Sequence, residues 1–551
     1  MLNKIAVIGG GAAGIITVDT LARCQDQSWE IVGFEGRAAL GGVWSDIPGT
    51  RLDDPDIFGR LRTIATEIDG DLSAEQIFHQ GSPVVDVRGH VKDINQLLPT
   101  SYDQPLKLNK TTMLRDGIFF SNKTGLHTDS RSSVPKGFME FDPIPRRRTT
   151  SGDPVLYTWK EVRENINDYV SKNDIYKYYR MNTSIELIDK MSHNEWVVVA
   201  KRTDAAKNIE EWYLETFNAI VICSGYFQVP YIPFYMNKFT QHNPGIHNFN
   251  VTFPEVLVHT RDIDQWYHNV LPKLEAKDET HKILIVGSGM SCIDVLPKIA
   301  AMQKLNIIIS KIPGTSESEQ PIEWFNEWLS NNDRITLKSS ILNFLNIKGH
   351  PAVQFTDGSI VDNISHIIFA TGYMPSLPFL ARNLASAIKV YVTSDKSTLN
   401  LACTGASRVT SLYVHTVSIS DPTLGFVFNS QTPIFQSFHL SAQMLAGIWS
   451  RYNNLLKLPK VTKNPWSQIL PSIEAQLEWA RRRLKDTGNN SKFHCYNSVS
   501  VPKSSWLAEC REFFYDPSIA NHMLPTGFEM LIERSLKEIE ETFRKVSQSG
   551  S

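Results

Sequence analysis

A chain of 551 residues exceeds what one hydrophobic core supports, so two domains are expected. Apolar residues make up 42% and charged residues 21%, ordinary for a soluble globular protein, and a formal net charge of -2 gives no global field for nucleic acid or an anionic membrane. No apolar run approaches the roughly 20 residues of a membrane helix, and the six cysteines (Cys24, Cys223, Cys292, Cys403, Cys495, Cys510) form no CxxC pair, which argues against a zinc cluster or a redox dithiol.

Free thiols fit a reducing compartment. Met1 runs directly into a strand-like segment that leaves no room for a secretory signal, so the cytoplasm is expected. The arginine runs at 146–148 and 481–483 read as solvated faces, since neither extends into a longer basic patch.

Lys4 to Ile8 reads as a short buried parallel strand. It enters Gly9-Gly10-Gly11-Ala12-Ala13-Gly14, a GxGxxG turn, and Ile15, Val18, Leu21 and Ala22 follow at helical spacing. Gly9 suits the tight turn, Gly11 a close backbone approach to a pyrophosphate, and Gly14 close packing of helix on strand. The helix N-terminus offers free N–H groups and the positive end of its dipole to phosphates. A second strand, Glu30 to Phe34, ends in Glu35, 21 residues past Gly14, where a carboxylate would accept ribose hydroxyls and repel a 2′-phosphate. The site suits FAD or NAD. Gly41-Gly42-Val43-Trp44 turns the choice towards FAD, because paired glycines permit a second close approach and a tryptophan can cover an apolar face.

The pattern recurs at Lys282 to Val286, leading into Gly287-Ser288-Gly289-Met290-Ser291-Cys292, with cysteine in place of the third glycine. The next strand, Leu305 to Ile309, ends in Ser310-Lys311, whose hydroxyl and cation favour the 2′-phosphate of NADPH.

With both sites in place, the chain resembles the flavin-containing monooxygenases over most of its length. The resemblance rests on Glu35 with Gly41 to Trp44, on Ile222-Cys223-Ser224-Gly225-Tyr226, on Ile368-Phe369-Ala370-Thr371-Gly372-Tyr373, on Leu412 to His415 and on Asp421 to Leu424. It implies an α/β fold with two Rossmann-like dinucleotide-binding domains, the NADPH domain inserted into a split FAD domain. The FAD domain would take residues 1–227, with an extra segment near 46–115, and residues 367–551 with a C-terminal helical region; the NADPH domain would take 228–366. Thr371 and Gly372 would mark a crossing close to the flavin.

Three departures stand out. In the family's FxGxxxHxxx(Y/F) segment Phe253 and His259 are in register, but Glu255 replaces glycine and Ile263 the final aromatic. His259 is left open between a surface position and the domain seam. The family's asparagine over the flavin falls on Asp129 when Gly125-Leu126-His127-Thr128 is aligned, and on Ser133 when Pro135 to Met139 is aligned. Asp129 and Ser133 are therefore the catalytic candidates, with Thr128 beside them as a cofactor ligand. An ionised aspartate only accepts hydrogen bonds; a buried one would regain a donor by protonation. Finally, 46–109 is rich in Asp, Gly and Pro with weak periodicity and reads as a tolerated insertion in preference to a lid or a partner surface, although Val84 to Leu98 has structured character.

By resemblance the activity is NADPH-driven reduction of FAD followed by transfer of one O₂ oxygen, through a flavin C4a-hydroperoxide, to a nitrogen or sulfur of a small molecule. Alternatives are an NADPH oxidase or reductase releasing H₂O₂, a Baeyer–Villiger monooxygenase, whose Trp-Pro after the histidine is lacking at Thr260 to Ile263, and a non-catalytic flavoprotein. Neither a metal nor a nucleic-acid partner is expected, a homodimer is left open, and the tail Ser535 to Ser551 reads as polar and unanchored.

Overall fold

The computed structural model describes residues 1–45, 56–59, 61–62, 100–109, 124–142, 153–192, 195–204, 206–225, 227, 229–232, 245–276, 280–311, 323–374, 377, 379–381, 383–384, 390–391, 408–409, 411–427, 434–460, 464–487, 509–521 and 528–549. Val84 to Leu98, Cys403, Cys495 and the arginine run at 146–148 lie outside them.

β1 (Lys4–Ile8) is almost wholly buried and turns through glycines into α1 (Ala12–Ala22). Ala12 to Leu21 are all buried, so α1 is covered on every side and lies between the sheet and a later helix. β2 (Glu30–Phe34) follows. β3 (Arg131–Pro135) and β4 (Leu156–Thr158) form an antiparallel pair ahead of α2 (Trp159–Lys172). A reciprocal box fixes the start of α2: the Thr158 hydroxyl accepts from the N–H of Glu161, whose carboxylate accepts from the N–H of Thr158. β5 (Tyr179–Arg180) and β6 (Ala219–Ile222) complete this stretch.

The middle of the chain gives β7 (Leu257–His259), α3 (Ile263–Asn269), β8 (His281–Val286), α4 (Met290–Ala300), β9 (Leu305–Ser310), α5 (Glu323–Ser330), β10 (Ile335–Lys338) and β11 (Ile364–Phe369). The last part gives β12 (Leu412–Tyr413), β13 (Val417–Ser418), β14 (Leu424–Phe426), α6 (Ile434–Leu456) and α7 (Phe528–Gln548).

Two sheets dominate. One runs β12-β13-β14-β6-β1-β2-β5, parallel from β14 to β5, and draws its strands from both sides of the middle stretch. The other, β7-β11-β8-β9-β10, is parallel throughout and uses only the middle stretch. A four-stranded antiparallel sheet (106–109, 183–192, 195–204, 209–217) packs behind the first. Each large sheet carries its glycine turn at the C-terminal end of a central strand, where open α/β sheets bind ligands.

A piece of the 46–115 stretch is core and not insertion. Ile57, Phe58 and Leu61 are buried in the second body, with Phe58 against Phe369 at 5.3 Å and the N–H of Ile57 donating to Asp262. Of the second arginine run, Arg481 and Arg482 are exposed but Arg483 is buried.

Candidate functional site: a cleft between two glycine turns

Gly9 adopts φ 109, and a Cβ there would lie 2.5 Å from the carbonyl oxygen of Cys223 on the neighbouring strand. A Cβ on Gly14 would collide with the carbonyl oxygen of Gly9, so strand and helix touch there through backbone alone. Gly11 is the N-cap of α1 and supplies no side-chain cap, which leaves the first N–H groups of the helix open to a ligand. Ala12, Ala13, Glu35, Gly42, Val43 and Trp44 line the same cleft, whose volume is about 560 Å³.

The second glycine pair approaches the protein's own turn: the N–H of Gly41 donates to the carbonyl of Gly10, and Gly42 backs onto Gly11. Glu35 is buried and accepts from the N–H groups of Gly10 (2.7 Å) and Arg37 (2.8 Å), one on each oxygen, leaving a lone pair on each for ribose hydroxyls. Burial raises its carboxyl above the ordinary range, although Arg37 and the backbone donors oppose this. Arg37, which the motif does not mark, joins the wall and donates to the carbonyl of Gly42.

The second turn repeats the geometry. Gly287 has φ 105 with its Cβ position 2.6 Å from the carbonyl oxygen of Ala370, and Gly289, the uncapped N-cap of α4, has no atom within 4 Å of its Cβ position. Cys292 is fully buried, so its thiol fills the helix–strand contact that a third glycine would leave tighter. Met290 and Ser291 reach the cleft wall, whereas Gly287, Ser288 and Gly289 lie just outside it. Ser310 differs from the expectation for a phosphate ligand: it is buried, and its hydroxyl donates inward to the carbonyl of Ser339 at 2.8 Å. Lys311 is half-buried at the tip of the strand, with Lys338 on the neighbouring strand end.

Asp129 and Ser133 both line the cleft, but neither is buried. The Asp129 side chain is 65% exposed and lies 3.3 Å from Nζ of Lys298 on α4, so it stands towards solvent beside a cation and not in an apolar pocket. Thr128 is a correction: its N–H and hydroxyl both donate to Asp264 on α3, and its carbonyl accepts from Trp159, away from the cleft. Thr371 and Gly372 likewise serve the crossing. The Thr371 hydroxyl donates to the carbonyl of Tyr231, and the Gly372 carbonyl accepts from the N–H of Tyr231.

His259 sits at the seam, fully buried, with Nε2 3.1 Å from the same Gly372 carbonyl. Burial and Arg261 push its imidazole down to about 3, so it stays neutral. Glu255, where the family has glycine, keeps the glycine conformation at φ 74.

Apolar side chains also line the cleft: Met139, Leu156, Phe435 and Phe438 on one side, Ile293 and Pro297 on the other. The last contributor corrects the reading of 535–551 as a polar, unanchored tail. The C-terminal tail is the amphipathic helix α7, and Ile539, Thr542, Phe543 and Val546 face the cleft. Phe543 is anchored among Trp324, Phe325 and Trp328, with ring centroids at 5.3, 5.5 and 4.7 Å. At the middle of the helix, Glu538 accepts from the N–H of Val155 at 2.6 Å, so the helix straps one body to the other. Among the described residues no helix is long and apolar enough to cross a membrane.

Comparison with known proteins agrees with this architecture. A family profile described as Flavin-binding monooxygenase-like matches residues 150–317. The chain is 25% identical over 490 residues to the flavin-containing monooxygenase iboF of Amanita muscaria, covering 84% of this chain and 81% of that one. It is 20% identical over 393 residues to a thiol-specific monooxygenase of Saccharomyces cerevisiae, covering 69% and 75%. The fold matches the structure of S-allyl-L-cysteine S-oxygenase from Allium sativum with a TM-score of 0.58 at 18% identity, over 99% of this chain and 95% of that one. The chain is thus similar to flavin-containing monooxygenases, which are oxidoreductases, over 84% of its length, with the flavin-binding monooxygenase-like profile covering residues 150–317.

Proposed function

We propose that the protein is an FAD-dependent, NADPH-consuming monooxygenase that transfers one oxygen atom of O₂ to a nucleophilic sulfur or nitrogen of a small molecule. The observation that carries this reading is the shared cleft, onto which the N-termini of α1 and α4 both open. Residues 1–227 and 367–551 would hold FAD, with Gly9, Gly11, Ala12, Ala13 and Gly14 at the pyrophosphate and Glu35 at the ribose. Residues 228–366 would hold NADPH, with the turn from Gly287 to Ser291 at its pyrophosphate and Lys311 at its 2′-phosphate.

FAD, when bound and reduced by NADPH, supplies the activation of O₂. In balance, NADPH, a proton, O₂ and substrate give NADP⁺, water and the oxygenated substrate. The chain's own residues bind, orient and exclude water, and no side-chain nucleophile is required. Cys223 and Cys292 agree with this, since burial pushes both thiols up to about 12 and removes them as thiolates near neutral pH. Similarity to a thiol-specific enzyme makes sulfur nucleophiles the first substrates to try.

The test is a comparison of NADPH consumed with H₂O₂ released, across thiols, sulfides and tertiary amines. Substrate-dependent suppression of peroxide supports oxygen transfer. Near-complete conversion of NADPH to peroxide with every compound would leave the oxidase reading in its place. Within this scheme Lys311→Ala should raise KM for NADPH roughly 10-fold or more, as expected for losing a charge-assisted hydrogen bond, and leave KM for NADH nearly unchanged. Equal effects on both would remove Lys311 from the 2′-phosphate.

A further inference from the structure

Three consecutive residues of one loop each meet a charged side chain of the second body. Nε2 of His127 lies 2.8 Å from Oδ2 of Asp294 on α4. The N–H and hydroxyl of Thr128 donate to Asp264 on α3 at 3.1 and 3.2 Å. Asp129 faces Lys298 on α4 at 3.3 Å. Asp294 and Lys298 stand four residues apart, on one face of α4 and opposite in sign, and the loop offers each its complement.

These contacts are unequal. Asp129 and Lys298 are both substantially exposed, so their pairing is screened and contributes little. His127 is 4% exposed at its side chain, and its contact with Asp294 is out of line for a straight hydrogen bond, so the attraction is coulombic. Tyr267 of α3 closes the cluster, edge-on to the imidazole at 6.2 Å and with the Lys298 ammonium 4.5 Å from its ring.

We propose that the loop 127–129 is a positioning latch that holds α4, and with it the nicotinamide nucleotide, in register with the flavin, and that the His127–Asp294 contact is its principal member. The inference rests on the monooxygenase reading, because α4 begins at the turn assigned to the NADPH pyrophosphate. It also answers the loss of the family's asparagine. The amide's neighbourhood here is organised by an ion pair reaching across the cleft, and Asp129 points to Lys298.

The groups facing His127 are Asp294 and Lys298 on α4, Asp264 and Tyr267 on α3, and Asp129 in its own loop. Burial pulls the imidazole down, but Asp294, with Asp264 and Asp129 farther off, more than offsets this and holds it above its ordinary value. The backbone N–H of Asp129 lies 3.3 Å from Nδ1, a long contact that a second ring proton displaces. The latch is therefore fully closed below the ordinary imidazole value of about 6.5 and weakens as pH rises through the raised one.

The experiment mixes the flavin-loaded enzyme with saturating NADPH under anaerobic conditions and follows flavin bleaching across pH. Wild type should bleach fastest below the imidazole range and slow above it. His127→Gln and Asp294→Asn should each bleach roughly 10-fold more slowly at low pH, as a small misplacement of reacting groups produces, and should lose that pH dependence. The exchanged pair, His127→Asp with Asp294→His, should recover most of the rate. Flavin content and melting temperature identify any variant that has lost its fold, and Asp294→Asn, on a half-exposed side chain, then carries the test. Variants that bleach at the wild-type rate with the wild-type pH profile, or an exchanged pair with no recovery, would overturn the latch alone. Wild type that NADPH does not bleach would overturn the monooxygenase reading, and the latch's role in reduction with it.

Discussion

Gly11→Ala is expected to give a folded protein that purifies nearly colourless. Gly11 has φ -73, which any residue adopts, and its new Cβ would lie 3.5 Å from the Cα of Gly42, an ordinary contact. Stability should therefore change by less than about 1 kcal/mol. The methyl would stand at the open N-terminus of α1, where a pyrophosphate must approach backbone N–H groups closely, so flavin retained through purification should fall roughly 10-fold or more.

Gly9→Ala is the contrast. It adds a side chain at φ 109 and presses it against the backbone of Cys223, whose strand β6 is paired to β1 and cannot withdraw. Strain and collision together should cost about 3 kcal/mol or more and reduce soluble, folded protein. Flavin content separates the two variants from wild type, and melting temperature separates them from each other. A fully yellow Gly11→Ala protein would place the flavin pyrophosphate elsewhere.

Phe543→Ala should loosen the strap across the cleft. The ring is 2% exposed among three aromatic side chains, and truncating so buried an aromatic costs about 3–5 kcal/mol. That is more than a single terminal helix holds in reserve, so α7 should detach while the two sheets keep their cores. Amide hydrogen exchange in 528–548 should rise and the main melting transition move little. Ile539, Thr542 and Val546 leave the wall together, water enters, and peroxide released per NADPH should increase several-fold. Unchanged peroxide release from a detached helix would show that α7 is a structural strap with no part in shielding the site.

The sequence makes some of this legible and hides the rest for physical reasons. Gly9, Gly14 and Gly287 stand where backbone meets backbone, and that requirement leaves a mark at fixed spacing. The strands before and after them are short and apolar because both sheet faces are covered, which marks them too. Ser310 misleads because residue type does not reveal which way a hydroxyl donates; its partner, Ser339, lies just past the end of the neighbouring strand. Ile57, Phe58 and Leu61 form too short an apolar run to stand out in a polar segment, yet they fill a core. For α7 the spacing of Ile532, Ile539, Phe543 and Val546 is readable as an amphipathic face, but nothing local says that α4 and α5 lie beneath it. The contact of His127 with Asp294 joins residues remote in sequence, and only the fold brings them together.

The central claim is that reduced flavin in this cleft delivers one oxygen atom to a nucleophile. Its most direct measurement is reduction of the flavin-loaded enzyme by NADPH without oxygen, followed by admission of ¹⁸O₂ in the presence of a sulfide, whose sulfoxide keeps the transferred oxygen. The account predicts one labelled oxygen atom in the product, the other in water, and product formed in step with NADPH consumed. Label recovered as hydrogen peroxide, with product unlabelled or absent, would contradict it.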